Sequence, residues 1–227
     1  MRGCDAVAHV AARAGVWGTL GDFWRPNVLG TRAVLAACRQ AGVSSLVVTS
    51  SPSVVFHPGG HEGADESEPY PDRHGSLYSR TKAIAEREAL EANGNDLAVA
   101  ALRPHLVWGL GDPHLLPRLY SRARAGRLVR LGSGGLVDTT CVANAAHAHV
   151  LALEALIEDA GRSLTMNCGY GQGFSVLEVL DAVDRVTGGK INRVIEPRRA
   201  GDPASLVSDN SRIRATLPWQ PRHADID

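Results

Sequence analysis

Short apolar runs alternate along the chain with longer segments in which apolar residues recur at helical spacing. The runs predict strands at residues 5–10, 45–49, 97–102, 163–167 and 191–195. The longer segments predict helices at residues 26–41, 76–94, 115–125, 143–157 and 175–187. Strands separated by helices of this length indicate βαβ units, so the pattern predicts an α/β protein with a mainly parallel sheet.

Individual residues mark several ends of these elements. Pro26 suits the first turn of a helix, and Gly42 is expected to end that helix. Ser76 is a candidate N-cap for the next helix. Residues 50–73 are rich in turn-forming residues and are expected to form a long loop.

The chain changes character near Arg103. The strand at 97–102 is expected to stop at Arg103-Pro104, and beyond this point Gly, Arg and Pro become more frequent. That change predicts a boundary between residues 1–103 and residues 104–227.

Composition narrows the classes of function. Of the 227 residues, 44% are hydrophobic and 21% are charged, which is typical of a globular protein. The 24 basic and 24 acidic residues give no net charge, so no basic surface for nucleic acid is expected. No apolar run approaches the roughly 18 residues of a membrane span. The cysteines are far apart and form no metal-binding pair, which predicts buried thiols in a reducing cytoplasm and no metal site. They are Cys4, Cys38, Cys141 and Cys168.

The sharpest chemical signal is the pair Tyr78 and Lys82. On a helix these positions share one face. A lysine charge beside the phenol lowers the tyrosine pKa toward neutrality, which allows the phenol to act as a general acid or base toward a carbonyl or alcohol. The alternative interpretation is a solvated helix face.

A serine-rich segment follows the strand at 45–49. Ser51 lies where that strand ends, and side chains at such ends point into the crevice where doubly wound sheets bind ligands. Its hydroxyl could bond the same substrate oxygen that Tyr78 protonates. The alternative is a serine-rich turn without a catalytic role.

Ser51, Tyr78 and Lys82 together resemble the catalytic triad of the extended short-chain dehydrogenase/reductase superfamily, which includes the NAD-dependent epimerases and dehydratases. Two departures from its motifs are Leu110, where proline is usual, and Cys141, where tyrosine is usual. The other segments that carry the resemblance are His9–Ala12, Asn27–Thr31, Leu102–Pro104 with Trp108–Asp112, and Asp138 with Val142–Ala146.

The resemblance implies part of a Rossmann-like, doubly wound parallel sheet followed by a small C-terminal substrate lobe. Residues 1–103 would be the C-terminal part of the NAD(P)-binding domain, and residues 104–227 would be mainly the substrate lobe. The cofactor would be NAD or NADP. Tyr78 would exchange the hydroxyl proton, Lys82 would also hold the nicotinamide ribose, Ser51 would polarise the carbonyl, and Asn27 would brace the site.

The resemblance also assigns contacts. Cofactor contacts are implied for His9, Ala11, Ala12, Asn27, Ser50, Tyr78, Lys82, Arg103, Pro104, Leu106 and Val107. Substrate contacts are implied for Ser51, Ser53, Trp108, Arg199 and Asp202. A homodimer, packed through the helices that hold Asn27 and Tyr78, is a further expectation from the superfamily.

The two ends of the chain resemble different subfamilies. Residues 1–155 resemble the 3β-hydroxysteroid dehydrogenases and 2-alkyl-3-oxoalkanoate reductases, which implies a bulky, apolar steroid-like or 3-oxoacyl substrate. Residues 166–227 resemble UDP-glucose 4-epimerases, in which the residues matching Arg199 and Asp202 hold the UDP group. A UDP-sugar 4-epimerase is therefore the alternative function. Natural divergence and recombination both explain such a mixture.

The family's glycine-rich phosphate loop has no counterpart in this sequence. Because the first predicted strand matches the family's fourth, we expect a truncated protein whose first strand is an exposed edge. An inactive remnant is then a second alternative. The glycine-rich turn at 169–173 follows the Tyr/Lys pair and is expected to be a helix-entry turn in the substrate lobe.

Overall fold

The computed structural model describes residues 1, 3–15, 17–57, 60–112, 117, 121, 125, 129–132, 135–159, 161–188, 192–196 and 205–223. Its strands are β1 Ala6–His9, β2 Ser45–Thr49, β3 His61–Ala64, β4 Ala98–Pro104, β5 Leu106–Trp108, β6 Val129–Gly132, β7 Leu136–Cys141, β8 Ser163–Cys168, β9 Gly173–Ser175, β10 Arg193–Glu196 and β11 Ser205–Ser208. Its α-helices are α1 Leu20–Trp24, α2 Gly30–Ala41, α3 Leu77–Glu91, α4 Val142–Glu158, α5 Val176–Thr187 and α6 Ser211–Thr216.

A four-stranded parallel sheet forms the centre of the fold, with strand order β1-β2-β4-β8. Its register pairs Ala6 with Ser45 and Ser45 with Ala98. All four strands are parallel and are joined through helices, so the predicted α/β doubly wound architecture is confirmed.

Helices cover both faces of this sheet. Successive side chains of β2 and β4 point to opposite faces, as they must in a strand. Leu46, Val48 and Val99 pack with residues of α2 and α3 on one face. Val47 and Leu102 pack with α4 on the other. Because apolar side chains fill both faces, β2 and β4 read as continuous apolar runs in the sequence.

Most central elements match their predictions closely. The strand at 45–49 has the predicted bounds, Ser76 caps α3, and Gly42 ends α2 in the left-handed conformation with φ 69°. The strand predicted at 5–10 is shorter than predicted, since β1 covers only Ala6–His9, and it is an exposed edge of the sheet, as expected. Among the described strands β1 bonds only to β2, and its residues are half-buried or exposed.

Two predicted boundaries are also wrong. The helix predicted from Pro26 begins at Leu20, because a capping box of Thr19 and Asp22 satisfies the first backbone amides. The strand predicted to end at Leu102 ends two residues later, since β4 includes Arg103 and Pro104 and pairs Pro104 with Cys168 of β8. The loop predicted at 50–73 contains β3. The helix predicted at 115–125 lies in a region that the structure describes only at isolated positions.

A second sheet lies beyond the central one and has the order β3-β11-β7-β5, with β9 antiparallel to β7. Asp138 of β7 is fully buried and accepts hydrogen bonds from the backbone amides of Tyr170 and Gly171. The glycine-rich turn at 169–173 is thereby attached to β7. It leads through β9 to α5, which Ser175 caps, so it is a helix-entry turn as predicted.

Two features are not found in the part of the chain that the structure describes. None of the described helices is both long and apolar enough to cross a membrane. Nor do the described residues include a group of three side chains suited to hold a metal ion.

The boundary between residues 1–103 and residues 104–227 stays a prediction. β8 belongs to the second of these segments, and it extends the central sheet by pairing with β4 of the first.

Candidate active site

Ser51 is placed at the carboxyl end of β2. It has an extended backbone and caps a short 3₁₀ turn, Pro52–Val54. Its Oγ accepts a hydrogen bond from the backbone amide of Ser53 at 3.3 Å and lies 2.9 Å from Ser53 Oγ. The cap orients the Ser51 side chain, whose hydroxyl lies close enough to the Tyr78 phenol to lower its pKa.

Tyr78 lies in the first turn of α3, where Ser76 and Ser79 form a reciprocal capping box that determines the start of the helix. Burial raises the pKa of the Tyr78 phenol, and the hydrogen bond with Ser51 opposes that rise. The structure therefore brings together the two hydroxyls that the sequence predicted to share one substrate oxygen.

Lys82 lies one turn further along α3 and is almost completely buried. Its Nζ donates a hydrogen bond to the backbone carbonyl of Thr49 at 2.6 Å. Burial lowers its pKa from 10.5 to about 8, although Glu86 favours the charged form. The sequence predicted that Lys82 lowers the pKa of Tyr78. That prediction is wrong, because burial has the largest effect on the Tyr78 phenol and raises its pKa.

Asn27 joins the segment after β1 to α3. It lies in a π-helical turn, Arg25–Leu29, which accommodates Pro26 inside the helix. Its Nδ2 donates to Thr81 Oγ1 at 3.0 Å, and its Oδ1 accepts from the backbone amide of Arg13 at 2.8 Å. These contacts suit the predicted bracing role.

His9 is the last residue of β1 and lies near Lys82. Its Nε2 is 3.0 Å from Thr31 Oγ1. Burial and the nearby charge of Lys82 lower the pKa of His9, so the imidazole is neutral at pH 7.

A cleft of about 770 Å³ opens at the carboxyl end of β1. Such an end is where doubly wound sheets bind dinucleotides. His9, Ala11, Ala12 and Arg13 line the cleft, and the two alanines leave room for close approach. Ser50 nearby has a buried hydroxyl for which no partner is found among the described residues. The small side chains and the free hydroxyl fit a nicotinamide cofactor.

The remaining predicted contacts are distributed beyond β4. Arg103 is buried, and its guanidinium binds the Glu86 carboxylate. Pro104 is buried, whereas Leu106 and Val107 are exposed and Trp108 is half-buried. Arg199 and Asp202 lie outside the described residues. These cofactor and substrate contacts stay predictions.

Three residues that contact the site were not identified from the sequence. Thr49 holds Lys82 through its carbonyl, His149 bonds the Thr49 side chain, and Glu86 pairs with Arg103. Glu86 follows Lys82 by four residues on the same helix, which was a usable signal. His149 lies 100 residues from Thr49, and no local pattern connects the two.

Comparison with known proteins agrees with this geometry. The model of the 3-beta hydroxysteroid dehydrogenase/isomerase family matches residues 1–170. The chain belongs to that family. It is 48% identical over 160 residues to a 2-alkyl-3-oxoalkanoate reductase of Shewanella oneidensis, a match covering 67% of this chain and 41% of that protein.

The chain is also similar to a sterol dehydrogenase and to a solved epimerase structure. The chain is 39% identical over 164 residues to the decarboxylating sterol-4-alpha-carboxylate 3-dehydrogenase of Mus musculus, which covers 70% of this chain and 45% of the relative. This chain thus spans less than half the length of these curated relatives. A UDP-glucose 4-epimerase from Brucella ovis in complex with NAD superposes with a TM-score of 0.87 at 29% identity, covering 98% of this chain and 75% of the other.

These similarities confirm both resemblances that the sequence indicated. The family model matches residues 1–170, the two relatives match 67% and 70% of the chain, and the epimerase likeness extends over 98% of it. The family consists of NAD(P)-dependent dehydrogenases, reductases and epimerases, and the solved neighbour holds NAD.

Proposed function

We propose that this chain carries the catalytic site of an NAD(P)-dependent oxidoreductase that interconverts a hydroxyl and a ketone on a bulky, apolar substrate. The observation that carries the proposal is the approach of Ser51, at the carboxyl end of β2, to Tyr78 of α3, with buried Lys82 one turn further along α3. This arrangement provides two hydroxyls for one substrate oxygen and a positive charge behind them.

Each residue then has a distinct task. Tyr78 gives its proton to the carbonyl oxygen during reduction and takes it back during oxidation. Ser51 donates a hydrogen bond to the same oxygen. Lys82, with a pKa near 8, is mainly charged at pH 7 and lies one turn beyond Tyr78 on α3. Lys82, Asn27 and the cleft beside His9 would hold NAD(P), which would supply or accept the hydride.

The substrate class follows from what the two relatives share. One name places an oxo group at carbon 3 of an alkanoate. The other places a carboxylate at carbon 4, next to the carbon 3 that is dehydrogenated. In both, a carboxyl group is attached to a carbon adjacent to the reacting carbon. We therefore propose a 3-oxo or 3-hydroxy acid with a large apolar portion as the substrate of this site.

A UDP-sugar 4-epimerase is the second candidate, because the epimerase likeness covers 98% of the chain. An epimerase oxidises and then reduces the same substrate, so it consumes no external cofactor. Arg199 and Asp202 are the residues that would hold the UDP group. An arginine fork pairs well with a diphosphate.

One assay separates these functions. The chain is incubated with NADH or NADPH and a 2-alkyl-3-oxo acid, and separately with NAD and UDP-glucose. Substrate-dependent loss of NAD(P)H supports the reductase, and formation of the 4-epimer of UDP-glucose without net NADH supports the epimerase. If a folded chain that binds the cofactor catalyses neither reaction, both proposals are wrong. A folded chain that binds no cofactor is an inactive remnant.

Variants connect the activity to the site. Tyr78→Phe is expected to reduce the rate about 10²- to 10⁴-fold, because it removes the proton donor. Ser51→Ala is expected to reduce it as well. Ser67→Ala is the matched control, since Ser67 is exposed and its side chain bonds the carboxylate of Asp65. An active Tyr78→Phe variant contradicts the assigned role.

Two further proposals concern the cellular compartment and the oligomeric state of the protein. All four cysteines are free, which supports a reducing compartment, and we propose the cytoplasm. We also propose a homodimer through the helices that hold Asn27 and Tyr78, as the superfamily resemblance implies. Light scattering on the purified chain distinguishes a dimer from a monomer.

A further inference from the structure

Thr49, the last residue of β2, is bound from both faces of the central sheet. Its backbone carbonyl accepts the hydrogen bond from Lys82 Nζ at 2.6 Å, and Lys82 approaches from α3. Its Oγ1 lies 2.6 Å from His149 Nε2, and His149 belongs to α4 on the opposite face. Thr49 therefore connects the catalytic lysine to a histidine on the other side of the sheet.

The direction of the second bond follows from the surroundings of His149. The Nδ1 atom lies 2.7 Å from the carbonyl oxygen of Ala145, which can only accept. Nδ1 therefore carries the proton, and Nε2 of the neutral ring is an acceptor. Burial lowers the pKa of His149, so the neutral ring is present at pH 7. The Thr49 hydroxyl must then donate to His149.

The alternation of β2 explains why one residue makes both contacts. Val47 and Thr49 point toward α4, while Val48 points toward α2 and α3. The Thr49 side chain thus cannot reach Lys82, and only its carbonyl lies within range. An anchored side chain at the end of a strand limits the movement of its own carbonyl.

We propose that His149 and Thr49 are positioning residues for Lys82: the Thr49–His149 hydrogen bond fixes the carbonyl that orients the Lys82 ammonium. The inference rests on the proposed function for its catalytic meaning, because Lys82 is the charge behind Tyr78. The contact itself is a property of the fold and can be tested without any reaction.

The charge state of Lys82 is the most direct readout. The groups around it are His9 on β1, Tyr78 and Glu86 on its own helix, and Arg103 on β4, which is bound to Glu86. A carbonyl acceptor stabilises an ammonium group. If the Thr49 carbonyl becomes free to move while Lys82 stays buried, the pKa of Lys82 falls below its present value of about 8.

Competitive methylation with formaldehyde and a mild reductant measures this pKa, since only the neutral amine reacts. The sequence has two lysines, so Lys190 is an internal reference for Lys82. We expect Thr49→Val, which keeps the side-chain shape, to raise the relative labelling of Lys82 at pH 7 about two- to threefold. That is the change for a pKa about half a unit lower. His149→Phe should raise the relative labelling of Lys82 by a similar factor. Combining His149→Phe with Thr49→Val should raise that labelling no further.

Matched controls separate positioning from general disturbance. Thr49→Ser keeps the hydroxyl and should restore wild-type labelling. His147→Phe changes a half-buried histidine two residues away on α4 and should leave labelling unchanged. Unchanged or reduced labelling of Lys82 in a folded Thr49→Val variant overturns the proposal.

A second measurement requires no substitution. Nitrogen NMR of the wild-type chain should show His149 protonated at Nδ1, and protonation at Nε2 overturns the proposed bond. Neither measurement uses cofactor or substrate, so they fail independently of the proposed function. Shifted labelling in a chain without reductase or epimerase activity supports the inference and leaves the proposed function wrong.

Discussion

The buried pair of Glu86 and Arg103 makes the most demanding energetic prediction. The Glu86 side chain is 0% exposed and that of Arg103 is 3% exposed. Arg103 Nη2 donates to Glu86 Oε1 at 2.6 Å, its Nε lies 3.1 Å from Oε2, and the Tyr70 hydroxyl donates to Oε1 at 2.7 Å. This cluster joins α3 to the end of β4, beside the candidate site.

Glu86→Gln keeps the shape and one acceptor oxygen but leaves the arginine charge without its counter-charge. Removing one partner of a buried pair costs about 3–5 kcal/mol. We expect about 3 kcal/mol here, because the Gln oxygen still accepts from Arg103 or Tyr70. With a urea slope of about 2–3 kcal/mol per molar, the unfolding midpoint should fall by about 1 M.

Glu88→Gln is the matched control on the same helix. Glu88 also pairs with an arginine at 2.6 Å, but the side chains of Arg32 and Glu88 are 48% and 25% exposed. Solvent screens such a pair, so its loss should cost at most about 1 kcal/mol. The double variant Glu86→Leu with Arg103→Met removes both charges and should recover most of the stability. Equal midpoints for Glu86→Gln and Glu88→Gln refute the reasoning.

Two further predictions concern stability. Burial lowers the pKa of Lys82 from 10.5 to about 8, so the unfolded chain binds more protons between these values and the protein gains stability as the pH rises through them. Lys82→Met should therefore raise the free energy of unfolding by up to about 3 kcal/mol at pH 7, as measured in urea. This gain should disappear above pH 10.5. Equal free energies of unfolding for the variant and the wild-type chain at pH 7 would contradict the prediction. A methyl group at Gly169 would collide with the Asp138 carboxylate, whereas nothing lies within 4 Å of one at Gly75. Thermal unfolding should show Gly169→Ala destabilised by about 1–3 kcal/mol and Gly75→Ala nearly unchanged, and a neutral Gly169→Ala would disprove the close approach.

The central sheet could be predicted because each of its elements has a local signal. The run at 45–49 is apolar on both faces, Ser76 and Ser79 cap α3, and Gly42 ends α2. The second sheet has no comparable signal. Its strands are three to six residues long and pair over large separations, as Ser205 does with Leu136. Such pairing depends on tertiary packing rather than on local preference.

The sequence predicted that Tyr78 and Lys82 share one face of a helix, but it did not predict the electrostatics of the candidate site. Helical spacing places Tyr78 and Lys82 on one face, yet it does not show where the lysine amine points. Nζ is bound to a carbonyl 33 residues earlier in the chain. Burial of Tyr78, which raises its pKa, likewise depends on how α3 packs and could not be derived from spacing.

Titration of the folded chain with NADH and with NADPH, followed by fluorescence, tests the central claim most directly. We expect saturable binding of at least one of them. Lys82→Met should weaken that binding by about tenfold or more, since a charged hydrogen bond is lost, while Glu88→Gln should leave it unchanged. A folded chain that binds neither dinucleotide would contradict the assignment of this site to NAD(P)-dependent chemistry.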